Sequence, residues 1–301
     1  MKTPLGKTSA KDVAVFLAPS FIGFFIFVLL PCTLSLFFSF AKYSGGRLTS
    51  IKFVGLKNYI KAFTNEQFWQ SMYVTVQFVI GSVFVVLLIS LFFALIVNRQ
   101  IMGRSFFRGI LFLPNMLSVV AISLAFALIF HPLQGPMNNF LLSLGLDPLP
   151  WLTSPKTALF TVIIIFIWQN FGYYMLIFLS GLQSINPSYY EAADLEGASP
   201  FQQFFRITLP MLSPVMFLAV ILAVIRSFNV FGHIYVLTGG QDGGGPAGST
   251  SVIVFDIYKN AFSYFRMGYA SAEAVILLLI VLTITLIQYK GQRRWVNYEA
   301  I

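Results

Sequence analysis

The chain has 301 residues, 57% of them hydrophobic, 17% aromatic and only 10% charged, with a mean hydropathy of +0.82. Soluble domains carry about 25% charged residues, so a water-soluble globular protein is excluded, and repeated uncharged runs longer than about 18 residues indicate an all-α polytopic membrane protein. The net charge of +9 comes from basic residues that mostly flank those runs, a pattern of membrane orientation that gives no reason to expect a nucleic-acid partner.

From the N-terminus, Lys2, Lys7 and Lys11 precede an apolar run over 13–40. That run is too long for a signal-peptide core and lacks a small-residue cleavage site. It reads as a retained first span, with Pro19 and Pro31 near its ends or at a bend. Cys32 is the one cysteine and lies inside it, so no intramolecular disulfide or cysteine metal site can form. A polar stretch over 42–67 leads to span two, 71–97, and a short link with Arg99, Arg104 and Arg108 leads to span three, 109–130, with Pro114 and Asn115 near its start. A Pro/Gly-rich loop over 131–156 precedes span four, 157–181. A structured loop then leads to span five, 211–231. The Gly-rich stretch 239–248, a short amphipathic piece over 252–262 and span six, 269–289, complete the order. Six spans put both termini on one side. That side carries ten Lys/Arg against eight opposite, a narrow bias toward cytoplasmic termini. The expected organisation is an N-terminal tail of 1–12, a membrane domain over 13–289 and a C-terminal tail of 290–301.

The loop over 186–210 has the most internal order. Asn186 before Pro187 is a helix start. A short helix can run to Glu196 and stop at Gly197, which tolerates a left-handed backbone. Ser199-Pro200-Phe201-Gln202 restarts a helix with a capping box, and Phe201, Phe204 and Phe205 fall on one face of it with Gln202, Gln203 and Arg206 on the other. Glu191, Ala192 and Ala193, then Gly197, Ile207, Leu209 and Pro210 stand at a spacing that resembles the EAA loop of the membrane subunits of bacterial ABC importers. Further pieces in order strengthen the likeness: GLKNY at 55–59, FW at 68–69, FFRGILFLP at 106–114, Trp151-Leu152, Trp168-Gln169, GLQSINPSYYEAA at 181–193, SFNVF at 227–231, YVLTGG at 235–240 and GYASA at 268–272. Together they resemble the carbohydrate-uptake branch, which includes the maltose and glycerol-phosphate systems.

The resemblance implies a type I ABC importer permease fold in a bacterial inner membrane. It implies a second related permease in a hetero-dimer, two copies of an ABC ATPase that bind ATP and Mg, an extracytoplasmic solute-binding protein and a sugar substrate. The loop would seat in the ATPase. Ala192 and Ala193 permit close approach, Glu191, Asp194 and Glu196 can pair with basic groups, and Gly197 sets the elbow. The chain itself offers no cofactor, metal or catalytic set. Gly6-Lys7-Thr8 resembles the end of a phosphate-binding loop, but Met1 stands where the first glycine is needed. His131 and His233 stand alone without metal-ligand spacing. An ion-gradient-driven secondary transporter is the competing reading; against it, no acidic residue lies mid-span and no inverted repeat is evident.

Sugar recognition needs hydrogen-bonding side chains interleaved with aromatic faces. The resemblance places a sugar cavity against spans four and five, on or beside Gln169, Asn170, Tyr173, Arg226, Ser227 and Asn229. Two charges lie within spans, Arg226 late in span five and Glu273 early in span six, where the resembling family is usually uncharged. Each costs about 2.5–3.5 kcal/mol at the centre of a membrane helix. They either pair with each other, or Arg226 faces the cavity and meets an anionic substrate such as a uronate or a sugar phosphate.

Overall fold

A computed structural model of the chain describes residues 10–46, 51–99, 102–239 and 243–296. Most of the expected N-terminal tail, the end of the C-terminal tail and residues 240–242 of the Gly-rich stretch lie outside these residues. The helices are α1 (Ala10–Phe24), α2 (Leu30–Ser39), α3 (Lys57–Thr64), α4 (Glu66–Asn98), α5 (Arg104–Met116), α6 (Val119–Ile129), α7 (Pro136–Ser143), α8 (Ala158–Ser184), α9 (Ser188–Leu195), α10 (Pro200–Gln203), α11 (Leu209–Phe228), α12 (Gly232–Leu237), α13 (Ile253–Tyr258) and α14 (Met267–Gly291). Among the described residues five helical stretches are long and apolar enough to cross a membrane: Ala14–Ser39, Glu66–Asn98, Ala158–Ser184, Pro200–Leu237 and Met267–Gly291. The sixth expected span is α5 and α6 together, bent by 93°. Leu117 and Ser118 between them take extended backbone angles (ψ 151° and 131°), so span three is broken rather than straight. Two π-helical turns, Phe25–Leu29 and Phe204–Thr208, lie just ahead of Pro31 and Pro210. A proline has no N–H to give and crowds the carbonyl four residues back, and a widened turn absorbs both effects.

The chain divides into two compact units. One comprises residues 1–64 with 260–276. Its two-stranded antiparallel ribbon, β1 (Ala41–Lys42) with β2 (Lys52–Phe53), follows α2 directly. Asn58 fastens α3 to this junction, giving its Nδ2 hydrogens to the carbonyls of Ser39 and Ala41, both at 2.9 Å, while the Tyr59 hydroxyl meets Ser39 Oγ at 2.6 Å. Gly268 N–H donates to the Tyr43 carbonyl at 3.0 Å, and the bare Cα of Gly268 faces the carbonyl of Ala41. Glu273 is buried and accepts from Asn260 Nδ2 at 3.1 Å.

The other unit, residues 65–259 with 277–301, is built around α8, which packs along α4, α5 and α11. Two apolar clusters run down its length. One gathers Phe78, Phe130, Trp151, Ile165, Phe166, Ile234 and Phe255, the other Val86, Tyr174, Met175, Phe178, Leu212 and Ala223. Lipid tails are as apolar as leucine, so these helices associate through close fit and hydrogen bonds rather than through escape from water. Small residues supply that fit. Ser90 Oγ donates to the Phe171 carbonyl across α4 and α8 at 2.8 Å, and Ser82 Oγ to Ser227 Oγ across α4 and α11 at 3.1 Å. Outside the spans, Asn138 ties the 131–156 loop together: its Oδ1 accepts from Leu149 N–H and Trp151 Nε1, and its Nδ2 reaches the carbonyls of Pro132 and Leu149.

At Gly172 the backbone of α8 meets Leu111 of α5 so closely that an added Cβ would strike that carbonyl. The clashing partner is backbone and cannot rotate away. Gly172→Ala is therefore expected to destabilise the purified protein by about 1–3 kcal/mol. Gly109→Ala, with nothing within 4 Å of the new carbon, is expected to be neutral or slightly stabilising. Equal thermal-unfolding midpoints for the two variants in detergent would contradict this packing.

Candidate functional site

Two helix interruptions face the middle of α8. The first is Leu117-Ser118 between α5 and α6; the second is Asn229–Phe231 between α11 and α12. Polar α8 residues meet them. Gln169 Nε2 donates to the Leu117 carbonyl at 3.3 Å, occupying an acceptor that the break releases from the helical ladder. That leaves Gln169 Oε1 as an acceptor, and His233 Nε2–H donates to it at 2.6 Å. Gln169 and His233 are both buried. One residue on, Asn170 Nδ2 donates to the Phe166 carbonyl at 2.8 Å, and its Oδ1 receives long hydrogen bonds from Asn115 Nδ2 at 3.5 Å and Arg226 Nη1 at 3.4 Å. The Arg226 guanidinium lies 3.8 Å from the centre of the Tyr173 ring, a cation–π contact that helps offset the desolvation of a charge at membrane depth.

Between these groups lies a cleft of about 340 Å³, lined by Asn115, Leu117, Val119, Phe166, Gln169, Asn170, Arg226, Asn229, Val230, Phe231, Gly232 and His233. Of the residues expected on the substrate path, Gln169, Asn170, Arg226 and Asn229 line it together. Tyr173 reaches it by holding Arg226. Ser227 is turned elsewhere: it is fully buried against Ser82. Sequence reasoning missed Asn115, Phe231 and His233 as members. His233 reads as solitary in the linear order because its partner Gln169 is 64 positions away. A polar residue one turn past a helix break in an apolar run is the signal that was present.

The loop over 186–210 forms the second feature. Asn186 Oδ1 accepts from Ser188 N–H at 3.0 Å and starts α9. The helix closes with both bonds of a Schellman motif, Ala198 N–H to the Ala193 carbonyl and Gly197 N–H to the Asp194 carbonyl, around Gly197 at φ +76°. Ser199 and Gln202 complete the reciprocal capping box of α10. Gln203 Nε2 then donates to Asp194 Oδ1 at 2.5 Å and ties the two helices. Tyr190 OH meets Thr208 Oγ1 at 2.9 Å. The knob is thus fastened internally while Glu191, Ala192, Leu195 and Phe201 stand in the open. Leu195 is 91% exposed and Phe201 73% exposed, apolar side chains carried on an ordered support. Ile207, Leu209 and Pro210 are half-buried where the loop passes into α11.

A family model described as "Binding-protein-dependent transport system inner membrane component" matches residues 86–297. The Probable ABC transporter permease protein YesP of Bacillus subtilis is 40% identical over 288 residues, covering 95% of this chain and 91% of that protein. The Trehalose/maltose transport system permease protein MalF of Thermococcus litoralis is 37% identical over 244 residues, 80% of each chain. Among solved structures, a chain of a bacterial ABC transporter involved in the import of the acidic polysaccharide alginate matches with a TM-score of 0.82 at 26% identity, over 94% of this chain and 95% of that one. An alginate transporter in complex with an alginate pentasaccharide-bound periplasmic protein matches with a TM-score of 0.81, also at 26% identity and over 94% of each chain.

Gln169 joins the two helix breaks, so Gln169→Leu strands both the Leu117 carbonyl and His233. The expected cost is about 1–3 kcal/mol, against less than about 0.5 for Asn229→Ala, whose amide donates to the Ile225 carbonyl four positions back. Thermal unfolding of the two purified variants checks this; an unshifted midpoint for Gln169→Leu would show that the breaks are held by other groups.

Proposed function

The chain belongs to the inner membrane components of binding-protein-dependent transport systems, and from that premise we propose that it is the permease subunit of an ATP-driven saccharide importer with a type I ABC importer fold. Relatives named for trehalose/maltose and for alginate transport support a saccharide cargo. The carrying observation is that one chain holds both a polar cleft at membrane depth and a rigid exposed knob beyond the spans. Transport needs the first. Coupling to an external engine needs the second. Family membership also sets aside an ion-gradient-driven secondary transporter.

In this reading the chain pairs with a second, related permease and receives cargo from an extracytoplasmic solute-binding protein. It is not itself an enzyme. ATP and Mg are held by two copies of a partner ATPase, whose surface receives the knob. Glu191, Ala192, Ala193, Asp194 and Gly197 form the docking face, and Ile207, Leu209 and Pro210 carry its displacement into α11. The knob then lies in the cytoplasm, as do both termini, with the membrane domain over 13–289 spanning the inner membrane. Gln169, Asn170, Tyr173, Arg226 and Asn229 belong to the substrate path; Ser227 supports it through Ser82.

Gly197→Arg tests the coupling role. Open space surrounds the glycine, but a side chain at φ +76° costs roughly 1–2 kcal/mol locally and places bulk on the docking face. The wild-type chain, tagged and gently purified from its host, is expected to carry a second permease and an ATPase. The variant is expected to keep the permease, lose the ATPase and stop transport. ATPase retention with undiminished transport in the variant would remove the knob from the mechanism.

A further inference from the structure

The cleft has a charge character that the importer reading does not require. Arg226 is the one permanently charged side chain in its lining, and among the described lining residues there is no Asp or Glu. The groups that hold the guanidinium are uncharged: the Tyr173 ring against its face and the Asn170 amide oxygen at Nη1. They orient the cation without neutralising it. Elsewhere the cleft offers neutral hydrogen-bonding side chains, Asn115, Gln169 and Asn229, and two aromatic rings, Phe166 and Phe231. Those parts suit hydroxyls and a sugar ring. The arginine suits something else. A planar fork with one terminal nitrogen engaged still presents further N–H donors, and that geometry matches the paired oxygens of a carboxylate or phosphate. Away from bulk water such a pairing is strong, and an unpaired cation is correspondingly unfavourable.

We propose that this cleft is charge-selective and passes saccharides bearing an anionic group, a ring carboxylate or a phosphate ester, with Arg226 as the group that meets the charge. The proposal rests on the importer reading and names the class of its cargo. Asn170 and Tyr173 are positioning residues for Arg226, which explains why an amide and a phenol ring occupy adjacent turns of α8 opposite it. A neutral sugar would leave the arginine without a counter-charge as it passed. An acidic one supplies it.

The test is a depletion assay on cells lacking this chain, complemented with the wild-type chain, Arg226→Gln or Arg226→Lys. The cells are given a mixture of galacturonate and mannuronate oligosaccharides, glucose 1-phosphate, maltotriose and trehalose, and disappearance of each is followed by mass spectrometry. Wild-type cells are expected to remove a uronate or phosphate probe, with the two arms telling which anion is carried. Arg226→Gln is expected to slow that removal tenfold or more while still co-purifying with the second permease. If the glutamine variant does not assemble, Arg226→Lys carries the test: it keeps the charge without the fork, and removal of the acidic probe should fall several-fold with assembly intact. Depletion of only the neutral probes by the wild type overturns this proposal and leaves the importer reading standing. Undiminished uptake of an acidic probe by Arg226→Gln also overturns it. No chain-dependent depletion of any probe counts against the importer reading itself, and this inference falls with it.

Discussion

Inside hydrocarbon a backbone carbonyl released from a helix has no water to turn to, and each such group left alone costs several kcal/mol. The arrangement of this protein follows from that constraint. Its spans are interrupted at Leu117-Ser118 and at Asn229–Phe231, and at the first of these a polar side chain from the middle of α8 meets the released carbonyl. Gln169 reaches the Leu117 carbonyl with one end of its amide and His233 with the other. Gln169 and His233 also line the cleft between the two interruptions.

A second consequence of the apolar solvent is the use of small residues where larger ones would be expected. Helices gain little by hiding apolar surface from lipid, so they associate through close approach and interhelical hydrogen bonds. Gly172 against Leu111, Gly181 against Leu212 and Val215, and the serine contacts of α4 are of this kind. The pieces that carry the family resemblance at 55–59 and 268–272 owe part of their character to the same demand: Asn58 closes the end of α2, and Gly268 admits the carbonyl of Ala41.

The knob obeys different rules. Apart from the Tyr190–Thr208 contact, the bonds that shape α9 and α10 join residues fewer than ten positions apart, so the asparagine start, the glycine elbow and the serine–glutamine box could be read directly from the order of residues. Its rigidity is local, which allows its surface to stay exposed and apolar without losing shape. The caps hold Leu195 and Phe201 on one ordered unit that runs on into α11.

What the sequence by itself determined were the properties set by composition and short-range chemistry: a polytopic helical membrane protein, the order of its spans, the capped loop over 186–210 and the unusual presence of Arg226. Apolar runs and capping patterns depend on neighbours within a few turns, and those are visible in a linear string. Only the tertiary structure decided that span three bends by 93°, that His233 belongs with Gln169, that Ser227 turns toward Ser82, and that Tyr173 and Asn170 hold Arg226 in the cleft. Each of those depends on a contact between segments more than fifty residues apart, and at the bend the exposed Leu117 carbonyl is met by Gln169, 52 positions away. Pairings across that distance leave no periodic trace, since what selects them is the packing of one helix against another.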